Sequence, residues 1–575
     1  MKFEKLSSYL EKLEKTSSRN QMTEKLADLF KETNAGEINK VTYLLLGSIA
    51  PGFSGVVFNI AEKMMIEAIA LAYSKEKDEV TKTYKEKGDL GETAYEFAKA
   101  GGQKIAKEQS VTDVFNRLTD IAEDNGEGSQ DRKIQKTAQL LKSLDSVSAK
   151  FVARIPVGKL RLGFSDKTIL DALSYLEVGD KSVKKQLEAA YNVLPDVGYL
   201  ASEVKSKGVA RTVKDISPKV GYPLLSMLAA RLKSPAEMVK KMGEVYVEPK
   251  FDGLRIQIHY KSSGFDNGKN YKAFTRNLNE TSWMFPELDD IDRYVNAKEA
   301  ILDTEAVGVD EGRKKMANFQ TTMTRRRKHD IADIASKVSI KFNVFDIMLK
   351  DGKGFVDMPY ESRRKVLADT VKSGKLLEIV EYEVTQNPER ISELMQKELG
   401  EGLEGIIVKK SDAGYVAGRT GYRWVKMKEK ESQKAKLADT LDCVVMGYYK
   451  GRGKRTSFGL GGFLVGVPDS GVVKTFTKIG TGLTDSQFKE LKERLSALES
   501  KDKPKEYGEV DKTLKPDTWV EPSLVTEIAA DEITKSPMHS SGFALRFPRL
   551  VKFRDDKGWE SATSLSEVKK LYKLQ

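Results

Sequence analysis

The chain of 575 residues is long enough for about three or four domains at ~150 residues each. Its 97 Lys and Arg exceed its 85 Asp and Glu, and the formal net charge of +12 favours a polyanionic partner such as nucleic acid. A basic protein of another class has the same balance, so charge alone leaves the function open. The single cysteine, Cys443, excludes an internal disulfide and a cysteine-based zinc cluster, and three histidines argue against a histidine-rich metal site.

No segment of the chain predicts export or membrane insertion. The N-terminus is charged and lacks the apolar core of a signal peptide. No uncharged apolar stretch approaches the ~20 residues that cross a membrane. Cys443 lies in the apolar run 441–445, where we expect a small buried residue and not a nucleophile. We therefore expect a soluble, cytoplasmic protein.

Residues 1–215 are predicted to be helical. In residues 60–70 apolar side chains recur at helical spacing, without the alternation of a strand. The polar stretch 123–129 predicts a loop between two groups of helices. Segments of this kind form an all-α domain.

A basic segment lies near the end of this helical region, at residues 154–163. It interleaves Arg154, Lys159 and Arg161 with two glycines, so that backbone and cations could approach phosphates. A basic surface loop explains the same pattern equally well.

Strands dominate after residue 216. Period-two alternation from residue 245 onward predicts an α+β domain over residues 216–435. Residues 436–575 combine short strands and Gly-rich turns with one helix at about 485–498, for which Thr484 or Asp485 is a plausible cap. This combination predicts a small β-barrel such as an OB-fold.

The first chemical motif is residues 245–255, VYVEPKFDGLR. Strand alternation would put Glu248, Lys250 and Asp252 on one face, and a second strand follows Gly253. A lysine nucleophile must lose its proton, and cations such as Arg255 or a bound metal favour the neutral amine. A plain turn is an equally good interpretation of this segment alone.

Two further motifs contain carboxylates on strands. Asp303 and Glu305 are two residues apart in the apolar run 301–307, so both share a face and offer the hard oxygen ligands that Mg²⁺ prefers. Glu404 precedes a second apolar strand that ends at Lys409. Solvated strand ends are the alternative in both places.

Two cationic motifs lie further along the chain. In residues 423–428, Lys426 and Lys428 share a face and could neutralise a triphosphate, while Val425 and Met427 pack inward. Residues 546–557 combine many cations with two aromatic side chains. An amphipathic edge strand and a basic terminal strand are the alternatives.

The order of these motifs is more specific than any one of them. Lys-x-Asp-Gly-x-Arg, an acidic strand, Glu-Gly-x-x-x-Lys, Trp-x-Lys-x-Lys and Arg-x-Asp-Lys follow one another, and in this the chain resembles the covalent nucleotidyltransferases. That superfamily comprises ATP-dependent DNA ligases, RNA ligases, NAD-dependent ligases and mRNA capping enzymes. The helical first third resembles the DNA-binding domain of DNA ligases of archaeal and eukaryotic type. Further matches to those ligases are residues 319–320 (FQ), 325–327 (RRR), 345–346 (FD), 363–364 (RR) and 546–549 (RFPR).

The resemblance implies roles for the matching residues. It makes Lys250 the nucleophile that attacks the α-phosphate of ATP and becomes linked to AMP. It places Glu248 on the adenine and Phe345 stacked against it. Arg255 and Arg276 would contact the AMP and the nick phosphate.

The resemblance also implies metal, phosphate and DNA contacts. Glu305 and Glu404 would support Mg²⁺ and the ribose. Contacts to the phosphates and pyrophosphate are implied for Lys426, Lys428, Arg554 and Lys557. DNA contacts are implied for Arg154, Lys159, Arg161, Arg546 and Arg549. Many relatives carry an arginine four residues before the motif tryptophan, but this chain has Thr420 there, so Arg419 and Arg423 are both candidates for that phosphate contact.

The resemblance implies an ATP- and Mg²⁺-dependent DNA ligase that seals 3′-OH/5′-phosphate nicks in duplex DNA during replication, repair and recombination. We expect three domains, a DNA-binding domain, an adenylation domain and an OB-fold domain, in a nucleoid-associated monomer that a sliding clamp could recruit. An RNA ligase or capping enzyme would share Lys250 and Glu305 but should lack the helical first third and residues 546–549. NAD-dependent ligases usually carry a four-cysteine zinc site, and an inert DNA-binding scaffold need not keep the lysine and carboxylates.

Overall fold

The chain forms two compact units, Met1–Met427 and Lys428–Gln575. The computed structural model describes residues 1–101, 108–160, 162–232, 234–310, 315–316, 339–418, 421–428, 440–451, 459–480 and 483–574. Arg161 and Arg419 lie outside the described residues, as do residues 319–320 and 325–327. No helix in the described ranges is long and apolar enough to cross a membrane. The three domains at 1–215, 216–435 and 436–575 stay a prediction.

The first part of the larger unit is helical, as predicted. Its apolar faces pack into one hydrophobic core, and the loop predicted at 123–129 separates two of its helices. The helices are α1 Phe3–Glu14, α2 Arg19–Glu32, α3 Ile38–Leu45, α4 Glu62–Tyr73, α5 Lys77–Lys87, α6 Leu90–Ala100, α7 Val111–Glu123, α8 Ser129–Lys142, α9 Ser146–Arg154, α10 Asp166–Val178, α11 Lys184–Val193, α12 Val197–Lys207 and α13 Val209–Asp215.

Two mixed sheets make up the rest of the larger unit. Its strands are β1 Ala230–Arg231, β2 Val245–Pro249, β3 Leu254–Lys261, β4 Tyr271–Thr275, β5 Glu299–Asp310, β6 Lys315–Met316, β7 Ser339–Lys350, β8 Lys353–Gly354, β9 Leu377–Ile379, β10 Glu383–Thr385, β11 Gly405–Lys410 and β12 Trp424–Lys428. One sheet has the order β1-β12-β11-β2-β10, and the other has β4-β3-β5-β7-β8, with β6 beside β5 and β9 beside β7. The helices of this part are α14 Pro235–Met242, α15 Tyr360–Thr370 and α16 Pro388–Gly400.

The chain passes from one sheet to the other directly after β2. We expected Glu248, Lys250 and Asp252 to share one strand face, but β2 ends at Pro249, so Lys250 lies in the connection to β3. Gly253 permits this crossing because a Cβ there would approach the Ala306 carbonyl oxygen to 2.4 Å. Lys250 therefore lies where the two sheets meet.

The smaller unit contains a seven-stranded antiparallel sheet, a separate two-stranded sheet and helices. Its strands are β13 Leu441–Tyr449, β14 Gly462–Asp469, β15 Val472–Ile479, β16 Glu499–Ser500, β17 Thr518–Val520, β18 Val525–Ala529, β19 Glu532–Lys535, β20 Phe543–Arg546 and β21 Arg549–Phe553, and its helices are α17 Asp485–Ser496 and α18 Leu565–Leu574. The order is β15-β14-β13-β17-β16, β18 pairs with β13 and β21, and β19 pairs with β20. Two predictions are confirmed: Thr484 caps α17 in a capping box, and Cys443 is fully buried.

Candidate active site

A cavity of about 750 Å³ lies between the two sheets of the larger unit. It brings together seven residues that were predicted from separate motifs: Glu248, Lys250, Arg255, Arg276, Glu305, Phe345 and Lys426. Glu404 lies next to this cavity, where it forms an ion pair with Lys250. Arg423 and Lys428 are described but do not line the cavity.

Backbone pairing brings Lys250 and Glu404 together. The Lys250 N–H donates to the Gly405 carbonyl oxygen at 2.9 Å, and the Glu404 N–H donates to the Lys250 carbonyl oxygen at 3.1 Å. The Lys250 ammonium group forms an ion pair with the Glu404 carboxylate and donates to the Phe251 carbonyl oxygen at 3.2 Å. Both side chains are 19% exposed, so the amine is held by a carboxylate yet open to a ligand.

Arg255 and Glu305 lie opposite each other on β3 and β5. The Arg255 guanidinium binds Asp303 through two hydrogen bonds of 3.0 and 2.6 Å. Tyr415 donates to the same carboxylate at 2.8 Å, which fixes this network below the cavity. Burial raises the pKa of Glu305 to about 7, although Lys250 and Arg255 oppose that shift.

The wall of the cavity also contains a buried lysine–glutamate pair. Lys409 Nζ lies 2.6 Å from Glu248 Oε2, with exposures of only 2% and 3%. Three aromatic rings surround the Lys409 ammonium, with centroids 4.6 Å away for Phe345, 4.6 Å for Tyr360 and 4.5 Å for Trp424. Burial lowers the pKa of Lys409, and the Glu248 carboxylate opposes that shift.

Comparison with known proteins identifies the family. Three family models match: "DNA ligase N terminus" over residues 2–174, "ATP dependent DNA ligase domain" over residues 226–428 and "ATP dependent DNA ligase C terminal region" over residues 456–557. The chain is 39% identical to the "Probable DNA ligase" of Dictyoglomus turgidum over 586 residues, which cover 100% of this chain and 98% of the relative. The chain belongs to the ATP-dependent DNA ligases.

Other relatives agree with this assignment. The ligase is 36% identical to the "DNA ligase" of Sulfurisphaera tokodaii over 600 residues, with 100% of this chain and 98% of the relative covered. A solved structure named Pmar-Lig_Pre shares the fold, with a TM-score of 0.53 and 18% identity over 96% of this chain and 99% of that chain. The family seals nicks through an adenylated intermediate, and the ligase uses ATP and Mg²⁺ for this reaction.

The carboxylates at the cavity fit a Mg²⁺ ion. No group of three or more His, Cys, Asp or Glu side chains in the described residues is arranged to hold a metal by itself. Mg²⁺ usually binds through one or two carboxylates together with substrate phosphates, and it keeps several waters. Glu305 lines the cavity and Glu404 contacts Lys250, so two carboxylates are present there, a number that suits such a site.

Arg154 corrects one prediction for the helical region. Its side chain is 3% exposed, and its guanidinium binds Glu14 at 2.7 Å and Asp89 at 3.0 Å. Gly91 allows α6 to pack closely against the Arg154 side chain, because a Cβ at position 91 would lie 2.6 Å from Arg154 Nε. Arg154 is therefore a buried ion-pair partner and is not presented to DNA, whereas Lys159 is 41% exposed and pairs with Glu62.

The predicted cations of the smaller unit are paired with carboxylates. Arg554 binds Asp442 through two contacts of 3.0 Å, and Lys557 binds the same carboxylate at 2.6 Å. Arg546 ends β20 and Arg549 begins β21, and they are 39% and 52% exposed, respectively. These two arginines are accessible to a phosphate backbone from outside the unit.

Sequence reasoning missed several residues of the site. Tyr360 and Tyr415 carry no motif signal, because their roles depend on hydrogen bonds across 112 residues of chain to Glu248 and Asp303. Trp283 is 36% exposed and lines the cavity mouth. Lys409 ends the motif Glu-Gly-x-x-x-Lys, which was a usable signal, but the motif did not indicate its buried partner.

Proposed function

We propose that Lys250 is the residue that carries AMP in this DNA ligase. The observation that supports this assignment is the position of Lys250 at the crossing of the two sheets, where it pairs with Glu404 and lines the cavity that Phe345 and Glu305 also line. An amine in that position has a carboxylate beside it and a cavity large enough for a nucleotide.

The first step joins Lys250 Nζ to the α-phosphorus of ATP. The lysine first loses one proton to solvent, and the nitrogen releases a second proton as the P–N bond forms. The bond from the α-phosphorus to the bridging oxygen of pyrophosphate breaks, so that pyrophosphate leaves with the electron pair. Lys426 lies on the cavity wall and would neutralise phosphate charge during this step. Phe345 would stack on the base, with Glu248 at the edge of the base.

The metal would be held by Glu305 and Glu404. Bound there, Mg²⁺ would supply positive charge next to the phosphoryl oxygens. In the later steps AMP passes to the 5′-phosphate of the nick, and attack by the 3′-OH releases AMP and closes the phosphodiester bond. Arg255, held on Asp303, and the exposed Arg276 would bind the AMP and the nick phosphate.

Three domains would divide this work. Residues 1–215 would bind the duplex, with Lys159 and Arg161 on phosphates. Residues 216–435 would perform adenylation, with Arg419 or Arg423 replacing the expected phosphate contact. Residues 436–575 would form an OB-fold that contributes Arg546 and Arg549 to DNA and Arg554 and Lys557 to pyrophosphate. The monomeric state, nucleoid association and recruitment by a sliding clamp rest on the resemblance alone.

Transfer of a label tests the proposal. The protein is incubated with Mg²⁺ and α-labelled ATP, the labelled peptide is mapped, and nicked DNA or nicked RNA is added. Label on Lys250 that passes to nicked DNA is the expected result. Label on another residue contradicts the assignment, and equal transfer to nicked RNA contradicts the substrate.

A further inference from the structure

The ammonium group of Lys409 has no proton left for a ligand. An ammonium has three N–H donors. Lys409 Nζ lies 2.6 Å from Glu248 Oε2, 3.0 Å from the Tyr360 hydroxyl and 3.4 Å from the Phe345 carbonyl oxygen. These three protein acceptors use all three donors. Although Lys409 lines the cavity, it offers no hydrogen bond to whatever binds there.

Glu248, by contrast, can still accept hydrogen bonds from a ligand. One carboxylate oxygen accepts from the Tyr360 hydroxyl and the other from Lys409. Each oxygen has two lone pairs, so one remains on each. Burial raises the pKa of Tyr360 well above its usual range, so its hydroxyl stays a donor. This network therefore offers a ligand the Glu248 carboxylate as a hydrogen-bond acceptor, and neither Lys409 nor Tyr360 adds a donor.

Adenine and guanine differ in what they would present to such an acceptor. Adenine carries a 6-amino group, which donates hydrogen bonds, whereas guanine carries a 6-oxo group, which accepts them. A 6-oxo oxygen facing the Glu248 carboxylate would meet a second acceptor, and the saturated ammonium of Lys409 could not compensate. A buried polar group left unpaired in this way weakens binding.

We propose that Tyr360 is a positioning residue that sets the selectivity of this ligase for a 6-aminopurine nucleotide over a 6-oxopurine nucleotide. The inference rests on the proposed function, in which the base of ATP lies against Phe345 and Glu248. Tyr360 acts through the Lys409–Glu248 pair. Its hydroxyl accepts a hydrogen bond from Lys409 and donates one to Glu248. Without that hydroxyl, Lys409 gains a free N–H that can bind a 6-oxo group.

The test compares lysine labelling by two nucleotides in the full-length protein. Wild type, Tyr360→Phe and a matched control, Tyr246→Phe, are each given α-labelled ATP or α-labelled GTP, and single-turnover rates are measured over a range of concentrations. Tyr246 is the control because its ring packs edge-on against Tyr360 at 5.4 Å and its hydroxyl makes no hydrogen bond to a described residue. Thermal unfolding of all three proteins is recorded beside the rates.

We expect Tyr360→Phe to lower the ATP/GTP ratio of rate over half-saturating concentration by about tenfold or more. The change should come mainly from faster labelling by GTP, which a merely structural defect would not produce. The ratio in Tyr246→Phe should equal that of wild type. A ratio in Tyr360→Phe within about twofold of wild type, with ATP labelling intact, overturns the inference.

A second measurement needs no variant. Purine riboside triphosphate lacks any 6-substituent, and wild type should label with it about tenfold or more slowly than with ATP, because Glu248 would lose its donor partner. Equal labelling by the two nucleotides overturns the inference even if Tyr360→Phe does not fold. If wild-type protein is not labelled by ATP on Lys250, the proposed function fails instead, so the two failures are distinguishable.

Discussion

Two lysine–glutamate pairs lie on or next to the same two strands, beside one cavity. On β2 and the residue that follows it, Glu248 precedes Lys250, and on β11 and the residue before it, Glu404 precedes Lys409. Because β2 and β11 are antiparallel, the pairs form as Lys250 with Glu404 and Glu248 with Lys409. The same two residue types therefore occur twice in one ladder.

Burial distinguishes the two pairs. Lys250 and Glu404 are each 19% exposed, whereas Lys409 and Glu248 are 2% and 3% exposed. Lys250 can exchange its carboxylate for a ligand, because water and ligand reach its ammonium group. Lys409 cannot, because three rings and three acceptors enclose it. If Lys250 is the nucleophile, as proposed, exposure is the property that separates the reactive lysine of this cavity from the structural one.

The largest expected effect separates the two lysines. Lys250→Ala should reduce protein labelling by α-labelled ATP to background, because no amine remains at the reacting position. The same variant should still seal a nick that already carries AMP, since only the first step needs that amine. Lys409→Met should label more slowly yet detectably, and it should unfold more easily because Glu248 is left as an unpaired buried carboxylate. Normal labelling of Lys250→Ala would reverse the assignment of the two lysines.

The second prediction extends the comparison to Arg154 in the helical region. Arg154→Ala leaves the carboxylates of Glu14 and Asp89 without their guanidinium, and removal of one partner from a buried ion pair costs about 3 kcal/mol or more. Denaturant unfolding of the full chain measures this loss. Lys159→Ala is the matched control, because its pair with Glu62 is exposed and should contribute less than about 1 kcal/mol. Equal stability of the two variants would contradict the buried cluster.

The motifs predicted the residues of the site better than their surroundings. Lys250, Glu305 and Phe345 were found because each belongs to a short local pattern, and these patterns meet in one cavity. Tyr360 was not found, since its hydroxyl contacts depend on packing between distant elements. The prediction that Arg154 contacts DNA was wrong. The sequence of a basic segment does not indicate which of its cations is buried, and here Gly91 makes room for Arg154.

The periodicity of the sequence predicted most of the fold, but not the crossing between the two sheets. Helical spacing over residues 1–215 and strand alternation after residue 245 both correspond to observed elements. The alternation continues in sequence through residues 248–252, although the strand ends at Pro249. Close approach of Gly253 to the Ala306 carbonyl group accompanies that crossing, and such a long-range contact leaves no trace in a local pattern.

The third prediction concerns how the Mg²⁺ requirement of the labelling reaction depends on pH. Burial raises the pKa of Glu305 to about 7, so this carboxylate gains a proton as pH falls below 7 and loses the charge that attracts Mg²⁺. The Mg²⁺ concentration for half-maximal labelling should therefore rise as pH falls, by up to ~10-fold per pH unit below 7. Titrations of Mg²⁺ at pH 8, 7 and 6 measure this change. If excess Mg²⁺ fails to restore the rate at pH 6, protonation of Glu305 does not explain the lost activity.

The smallest expected effect concerns the exposed cation of the helical region. Lys159 is 41% exposed and its partner Glu62 is 47% exposed, so a DNA phosphate can displace this carboxylate at little cost. Each phosphate contact that releases a counterion adds about 0.9 to the slope of log affinity against log salt concentration.

Lys159→Ala should therefore reduce the salt slope of binding to nicked duplex DNA by about 0.9. Its rate of labelling by ATP should stay that of wild type, because Lys159 lies outside the nucleotide cavity. Binding isotherms at four or more salt concentrations measure the slope, with an unnicked duplex of the same sequence as a second substrate. A phosphate contact made by Lys159 lowers the slope on both duplexes alike, since backbone charge carries no information about the nick. An unchanged slope would show that Lys159 stays paired with Glu62 when DNA binds. The basic segment 154–163 would then be a surface loop without a role in DNA binding, which is the alternative interpretation of its sequence.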